Sequence, residues 1–184
     1  EHLQHERLKY EAHHDGLTGL LNYTGMHDEV QNILSNLDDT SQKMYAVLYC
    51  DLDVFKDIND TLGHTIGNFV LSTVAKRIQE CVPPSSLISR LGGDEFLVIM
   101  VGENNDHLFE TAVKAAEKIC SEVEKPMWAY GRASAIYIKM SIGLNITNSS
   151  SSVNAMIENA DRALYSAKRN GGNQVILFSE SPPA

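Results

Sequence analysis

A pair of glycines between two apolar segments constrains this chain more than any other feature. Gly92-Gly93 follows residues 86–91 and precedes Phe96-Leu97-Val98-Ile99-Met100. Apolar runs flanking a glycine pair predict a β-hairpin. A hairpin in mid-chain excludes an all-parallel sheet. Asp94 and Glu95 fall in the bend itself, directly ahead of a strand expected to be buried. Asp and Gly are ordinary turn residues, so the acidic pair takes chemical meaning only from its neighbours.

Those neighbours alternate between strand and helix patterns. Residues 44–50 are apolar throughout and predict a central strand, and Asp51-Leu52-Asp53 begins at its carboxyl end, where sheet ligand sites commonly lie. A helix is predicted over 24–37, capped by Thr24, with Met26, Val30, Ile33, Leu34 and Leu37 inward. The polar residues 38–42 end it. A second helix, over 66–81, carries Phe69, Val70, Leu71, Val74 and Ile78 and stops at Pro83-Pro84. A third, over 106–124, has Leu108, Val113, Ala116 and Ile119 as its stripe and stops at Pro126. Strands over 127–130 and 135–145, a polar loop at 148–152, a helix over 153–169 and a strand over 174–178 complete the pattern. The expected class is α/β of the α+β kind, with a mixed, largely antiparallel central sheet surrounded by helices.

The 184 residues suffice for one well-buried core. Residues 1–14 are polar, with Leu3, Leu8 and Tyr10 at loosely helical spacing and little to bury them. They are expected to be the C-terminal part of an upstream signalling helix, with one domain over 15–178 and a linker-like Ser/Pro tail over 179–184. A net charge of −9 argues against duplex nucleic acid or an anionic membrane as the main partner. A phosphate ligand would need help from a metal. Cys50, Cys81 and Cys120 lie in apolar segments without metal-type spacing, which predicts buried reduced thiols and fits a cytoplasmic location. No run approaches the roughly 18 apolar residues of a membrane span, so direct membrane contact is not expected.

Asp51, Asp53, Asp94 and Glu95 are four carboxylates at strand ends, the oxygen chemistry that suits Mg²⁺. Gly92-Gly93-Asp94-Glu95-Phe96, with Asp51-Leu52-Asp53-Val54-Phe55-Lys56-Asp57-Ile58-Asn59-Asp60 and Gly63-His64-Thr65-Ile66-Gly67, resembles the GGDEF diguanylate cyclase family. The resemblance extends to residues 15–22, Ser141-Ile142-Gly143 and residues 160–168, so it covers nearly the whole chain. It implies a fold related to class III nucleotide cyclases and polymerase palms. It also implies a reaction in which two GTP molecules on two facing domains become cyclic di-GMP and pyrophosphate.

On the same resemblance, Asp51, the Leu52 carbonyl, Asp94 and Glu95 are the expected ligands of Mg²⁺, or of Mn²⁺ in its place. Asp94 or Glu95 would help deprotonate the attacking hydroxyl. Lys56 and Lys168 resemble triphosphate contacts, and Asn59 and His64 resemble nucleotide contacts. The implied partners are a second copy of the domain, an upstream sensor acting through residues 1–14, and an EAL-type domain downstream. A cytoplasmic location, alone or as part of a membrane-bound sensor, is implied as well.

Five positions depart from the family pattern. Asn68 stands where an aspartate usually reads guanine. A carboxylate accepts from both guanine N1–H and the exocyclic amine, whereas Asn offers one acceptor and one donor. An unpaired buried donor costs about 1–3 kcal/mol, enough to weaken guanine preference by roughly one to two orders of magnitude. Gly172 replaces an arginine that helps hold phosphate, and Tyr23 follows Asn22 where arginine is usual. Pro83 and Ser86 occupy the Arg and Asp positions of an inhibitory product site, so feedback binding of cyclic di-GMP there is not expected.

Overall fold

The apolar run starting at Met44 becomes the middle of a five-stranded sheet. In the computed structural model, which describes residues 2–36, 43–103 and 105–179, β1 (Met44–Asp53) lies between two antiparallel neighbours. β3 (Glu95–Gly102) pairs on one side and β4 (Lys139–Asn148) on the other. β2 (Leu87–Gly92) lies outside β3, antiparallel, and β5 (Val175–Leu177) lies outside β4, parallel, giving the order β2-β3-β1-β4-β5. The helices are α1 (His2–His13), α2 (Tyr23–Ser35), α3 (Phe55–Leu62), α4 (His64–Cys81), α5 (Asn105–Val123) and α6 (Val153–Arg169). None of the described helices is long and apolar enough to cross a membrane.

Helices cover both faces of the sheet, which is why β1 reads as an unbroken apolar run. The period-two alternation still sorts its side chains. Ala46, Leu48, Cys50 and Leu52 join the core with α3, α4 and α5, while Tyr45 and Val47 join α2 and α6. On this second face Gly143 of β4 lets α6 come close, since a Cβ there would overlap the Ala160 carbonyl and the Leu164 backbone. Asn145, also buried on that face, donates to the Met156 carbonyl at 3.1 Å.

The hairpin forms as the glycine pair predicts. Gly92 pairs with Glu95, Gly93 takes φ 53°, and Leu91 is an extra residue between the Arg90 and Gly92 pairings. Several boundaries differ from the sequence expectation. α2 begins at Tyr23 and is capped by Asn22, whose side chain accepts from Gly25 N, instead of by Thr24. Residues 55–62 form a helix that apolar periodicity did not single out, and Gly63 (φ 87°) separates it from α4, which starts two residues before the expected Ile66. The expected strands at 127–130 and 135–138 reduce to one mutual pairing, with Met127 N to Ile136 O at 2.9 Å and Ile136 N to Met127 O at 2.8 Å. The sheet strand starts only at Lys139. Glu1, Leu37, residues 38–42 and residues 180–184 lie outside the described residues. Cys50, Cys81 and Cys120 are free thiols.

Candidate active site

Alternation along β1 places Tyr45, Val47, Tyr49, Asp51 and Asp53 on the α2/α6 face. The apolar cover ends before the last two, so they stand at the edge of the core and not inside it. Asp51 pairs with Glu95 of β3 on one side and with Ser141 of β4 on the other. Two carboxylates therefore face each other across adjacent strands. Asp94 joins them from the hairpin turn, and its carbonyl accepts from Leu52 N at 3.3 Å.

Lys168, near the end of α6, closes this edge. Its ammonium donates to Asp51 Oδ1, to the Leu52 carbonyl at 3.3 Å and to Asp53 Oδ1 at 2.9 Å. Asp53 is fixed by other donors too. Ser141 Oγ gives to Oδ1 at 2.8 Å and Asn173 N to Oδ2 at 2.8 Å. Glu95 accepts from the Tyr49 hydroxyl at 3.4 Å.

The electrostatics follow from partial burial among like charges. Burial pushes the Asp51 carboxyl above its ordinary value; the Asp94 and Asp53 charges add to this, while the hydrogen bond and charge of Lys168 oppose it. Glu95 is raised by burial and then by Asp51. Tyr49 is pushed up by burial and by the Glu95 charge, which keeps it a donor. Burial alone would lower Lys168, but its hydrogen bonds to Asp51 and Asp53 outweigh that and raise it. The cluster is an acidic pocket in need of cations.

The nucleotide-contact candidates lie on the adjoining helices. Lys56 is exposed on the first turn of α3, and His64 and Asn68 are exposed on the first turns of α4. Gly67 lets α4 approach Asn59, whose Oδ1 occupies the place a Cβ of residue 67 would take. Asn59 and the start of α4 are thus neighbours, while Lys56 makes no side-chain hydrogen bond among the described residues. At the other end, Gly172 has φ 73° and its Cβ position is 3.1 Å from Asp53 Oδ2, so arginine there would be both strained and crowded in this loop. Pro83 and Ser86 form a short turn, with Ser86 N donating to the Pro83 carbonyl at 2.9 Å.

Sequence reasoning overlooked the residues that hold the site. Arg90 donates from Nε and Nη2 to the Gly93 carbonyl at 3.0 and 2.7 Å and from Nη1 to Asp15 Oδ1 at 3.0 Å. The acidic turn is thereby clamped to the loop before α2, where Asp15 also accepts from Thr18 N and Oγ. Tyr49, Ser141 and Asn173 were equally unassigned. The one available signal was period two, since Tyr49, Asp51 and Asp53 must share a face.

Among the described residues no three His, Cys, Asp or Glu side chains are arranged to hold a metal ion. Asp51 and the Leu52 carbonyl nevertheless converge on one cation, the Lys168 ammonium. Mg²⁺ needs only one or two protein carboxylates when waters and phosphates complete its shell, so this all-oxygen set fits it.

Residues 12–174 match the family described as diguanylate cyclase, GGDEF domain. Diguanylate cyclase DosC of Escherichia coli K12 is 34% identical over 176 residues, which cover 96% of this chain and 37% of that protein. Cyclic di-GMP phosphodiesterase PdeR of the same organism is 32% identical over 176 residues, 95% of this chain and 25% of its own length. The chain thus spans well under half of these relatives. The solved coiled coil and GGDEF domain of DgcB from Caulobacter crescentus, in complex with c-di-GMP, superimposes with a TM-score of 0.85 at 28% identity, covering 96% of this chain and 91% of that one. With the family model matched over residues 12–174 and relatives above 30% identity covering nearly all of it, the chain belongs to the GGDEF domain family.

Proposed function

We propose that this domain is a diguanylate cyclase that joins two GTP molecules into cyclic di-GMP, releasing pyrophosphate, across a pair of facing copies. The observation that carries this reading is the convergence of Asp51 and the Leu52 carbonyl on one cation beside the Asp94-Glu95 turn. Asp51, the Leu52 carbonyl and Asp94 would hold Mg²⁺, with Glu95 beside them. The bound ion would neutralise phosphate charge and lower the pKa of the attacking 3′-hydroxyl. Asp94 or Glu95 accepts that proton, and the raised affinity of Glu95 for protons suits it to the task. Lys56 and Lys168 bind triphosphate oxygens, and Asn59 and His64 orient the nucleoside. Each copy supplies half of the site, so turnover follows the effective concentration set by whatever holds two copies together. An upstream sensor acting through α1 and a downstream EAL-type domain are the proposed neighbours in a cytoplasmic signalling protein.

Asn68 favours a refinement. Exposed on the second turn of α4, it offers a guanine edge one acceptor and one donor, and it offers adenine a better match. Relaxed base selectivity follows from this, and the same substitution, with Gly172, favours a second reading as a weakly catalytic GTP-binding module that regulates a partner domain. The Pro83 and Ser86 turn lacks the charged groups for product feedback. A forcibly dimerised protein incubated with Mg²⁺ and GTP, ATP or both, with products identified by mass spectrometry, tests these readings together. Cyclic di-GMP and a mixed or adenine-containing product are expected, all abolished by Asp94→Ala. Pure cyclic di-GMP at a rate unchanged by Asn68→Asp overturns the selectivity reading, and absence of product with retained GTP binding selects the regulatory module.

A further inference from the structure

The two oxygens best placed to ligate a metal already hold a cation. Resting on the metal reading above, we propose that Lys168 is a tethered stand-in for the divalent ion. It occupies the Asp51 and Leu52 oxygens in the nucleotide-free domain and leaves them when metal and triphosphate arrive together.

Its anchoring permits this exchange. α6 is held against β4 by the close approach at Gly143, so the helix stays in place while four flexible carbons carry the ammonium. The ammonium has three partners of unequal permanence. Asp53 is locked by Ser141 and Asn173 and remains as an anchor at 2.9 Å, whereas Asp51 and the Leu52 carbonyl are held by no other side-chain donor among the described residues. Lys168 can therefore give up two contacts and keep one.

Without some cation, Asp51, Asp53, Asp94 and Glu95 would stand together partly buried with no opposite charge beside them, an unfavourable arrangement of like charges. A metal that arrives alone must displace the ammonium from the oxygens it needs, because two cations cannot share them. A metal that arrives with triphosphate brings a new anionic partner for Lys168 and further oxygen ligands for itself. The metal and nucleotide sites are thus coupled through one side chain, and each ligand strengthens the other. The same exchange keeps a cation in the acidic pocket at every stage.

Mn²⁺ binding to the intact domain without nucleotide, followed by electron paramagnetic resonance, tests the proposal. If the ammonium holds the oxygens more than about nine-tenths of the time, apparent metal affinity is reduced at least tenfold. Lys168→Gln should therefore bind Mn²⁺ at least about tenfold more tightly than the unaltered protein, and Asp51→Asn should abolish binding in both backgrounds. A second measurement needs no variant: the side-chain NMR signal of Lys168, assigned through bonds, should shift on saturation with Mg²⁺ as the ammonium gives up the Asp51 and Leu52 oxygens and keeps Asp53. Equal, Asp51-dependent Mn²⁺ affinity in the two proteins, or a Lys168 signal unmoved at saturation, overturns the proposal and leaves the metal site standing. Mn²⁺ binding absent from both proteins, or indifferent to Asp51→Asn, overturns the metal reading itself and this inference with it.

Discussion

Val54 holds a left-handed backbone, φ 54° and ψ 31°, which β-branched residues rarely adopt. It sits where β1 turns into α3, between Asp53 and Phe55, and its side chain is 72% exposed, so packing gains little from valine there. Asn tolerates this conformation far better, and Val54→Asn should raise stability by about 1 kcal/mol, read as a higher denaturant midpoint with an unchanged slope. Glu95 presents the opposite case, strain of charge instead of backbone. Burial and Asp51 raise its pKa above the ordinary 4.5, so the folded state binds the proton more tightly than the unfolded state does. Stability is therefore lost as pH rises through that window. Glu95→Gln should melt at a higher temperature than the unaltered protein at pH 7.5, and the difference should vanish below about pH 4, where the carboxyl is protonated in both states. A benefit that persists undiminished at low pH would assign the effect to packing.

The elements show which patterns a sequence carries plainly. β1, the hairpin and α4 to α6 were legible because each presents an apolar period long enough to exclude the alternative. α3 was not, since only Phe55, Ile58 and Leu62 mark its eight residues and no side chain caps its start. Residues 135–138 alternate like a strand, with Ile136 and Ile138 buried and Tyr137 exposed, but they pair only with Met127 and so form a bridge. The Lys168–Asp51 contact spans 117 residues, and no local pattern could indicate it. Arg77 of α4 was equally silent. Its guanidinium donates to the carbonyls of Glu122, Val123, Lys125 and Pro126, at 2.9, 3.1, 2.7 and 2.9 Å, satisfying the end of α5 where no α-helical partner remains. Arg77→Met keeps the stem but frees these acceptors and should cost about 2 kcal/mol in equilibrium unfolding. Arg77→Lys should recover less than half, since a single ammonium cannot reproduce the fork.

Across the molecule, one chain of contacts links the incoming helix to the chemistry. Asn22 Nδ2 donates to the Ala12 carbonyl at 2.9 Å at the end of α1, and Asn22 Oδ1 caps α2. Within the same loop Asp15 engages Arg90, their side chains only 19% and 13% exposed, and Arg90 holds the Gly93 carbonyl beside Asp94. A displacement of α1 thus reaches the acidic turn through the Asp15–Arg90 ion pair, beside the backbone bonds of Leu21 to Ile88 and Arg90. This arrangement makes Arg90 a positioning residue, and its effect should run through Asp15. In a forcibly dimerised protein turning over GTP, Asp15→Asn and Arg90→Gln should each lower kcat about tenfold, equivalent to roughly 1.4 kcal/mol, with little change in KM. Because both act on one contact, the double variant should be no slower than the slower single one. Losses that multiply would mean that Asp15 and Arg90 support the turn independently. A rise in KM without loss of kcat would mean that the pair shapes nucleotide binding and leaves the alignment of Asp94 untouched.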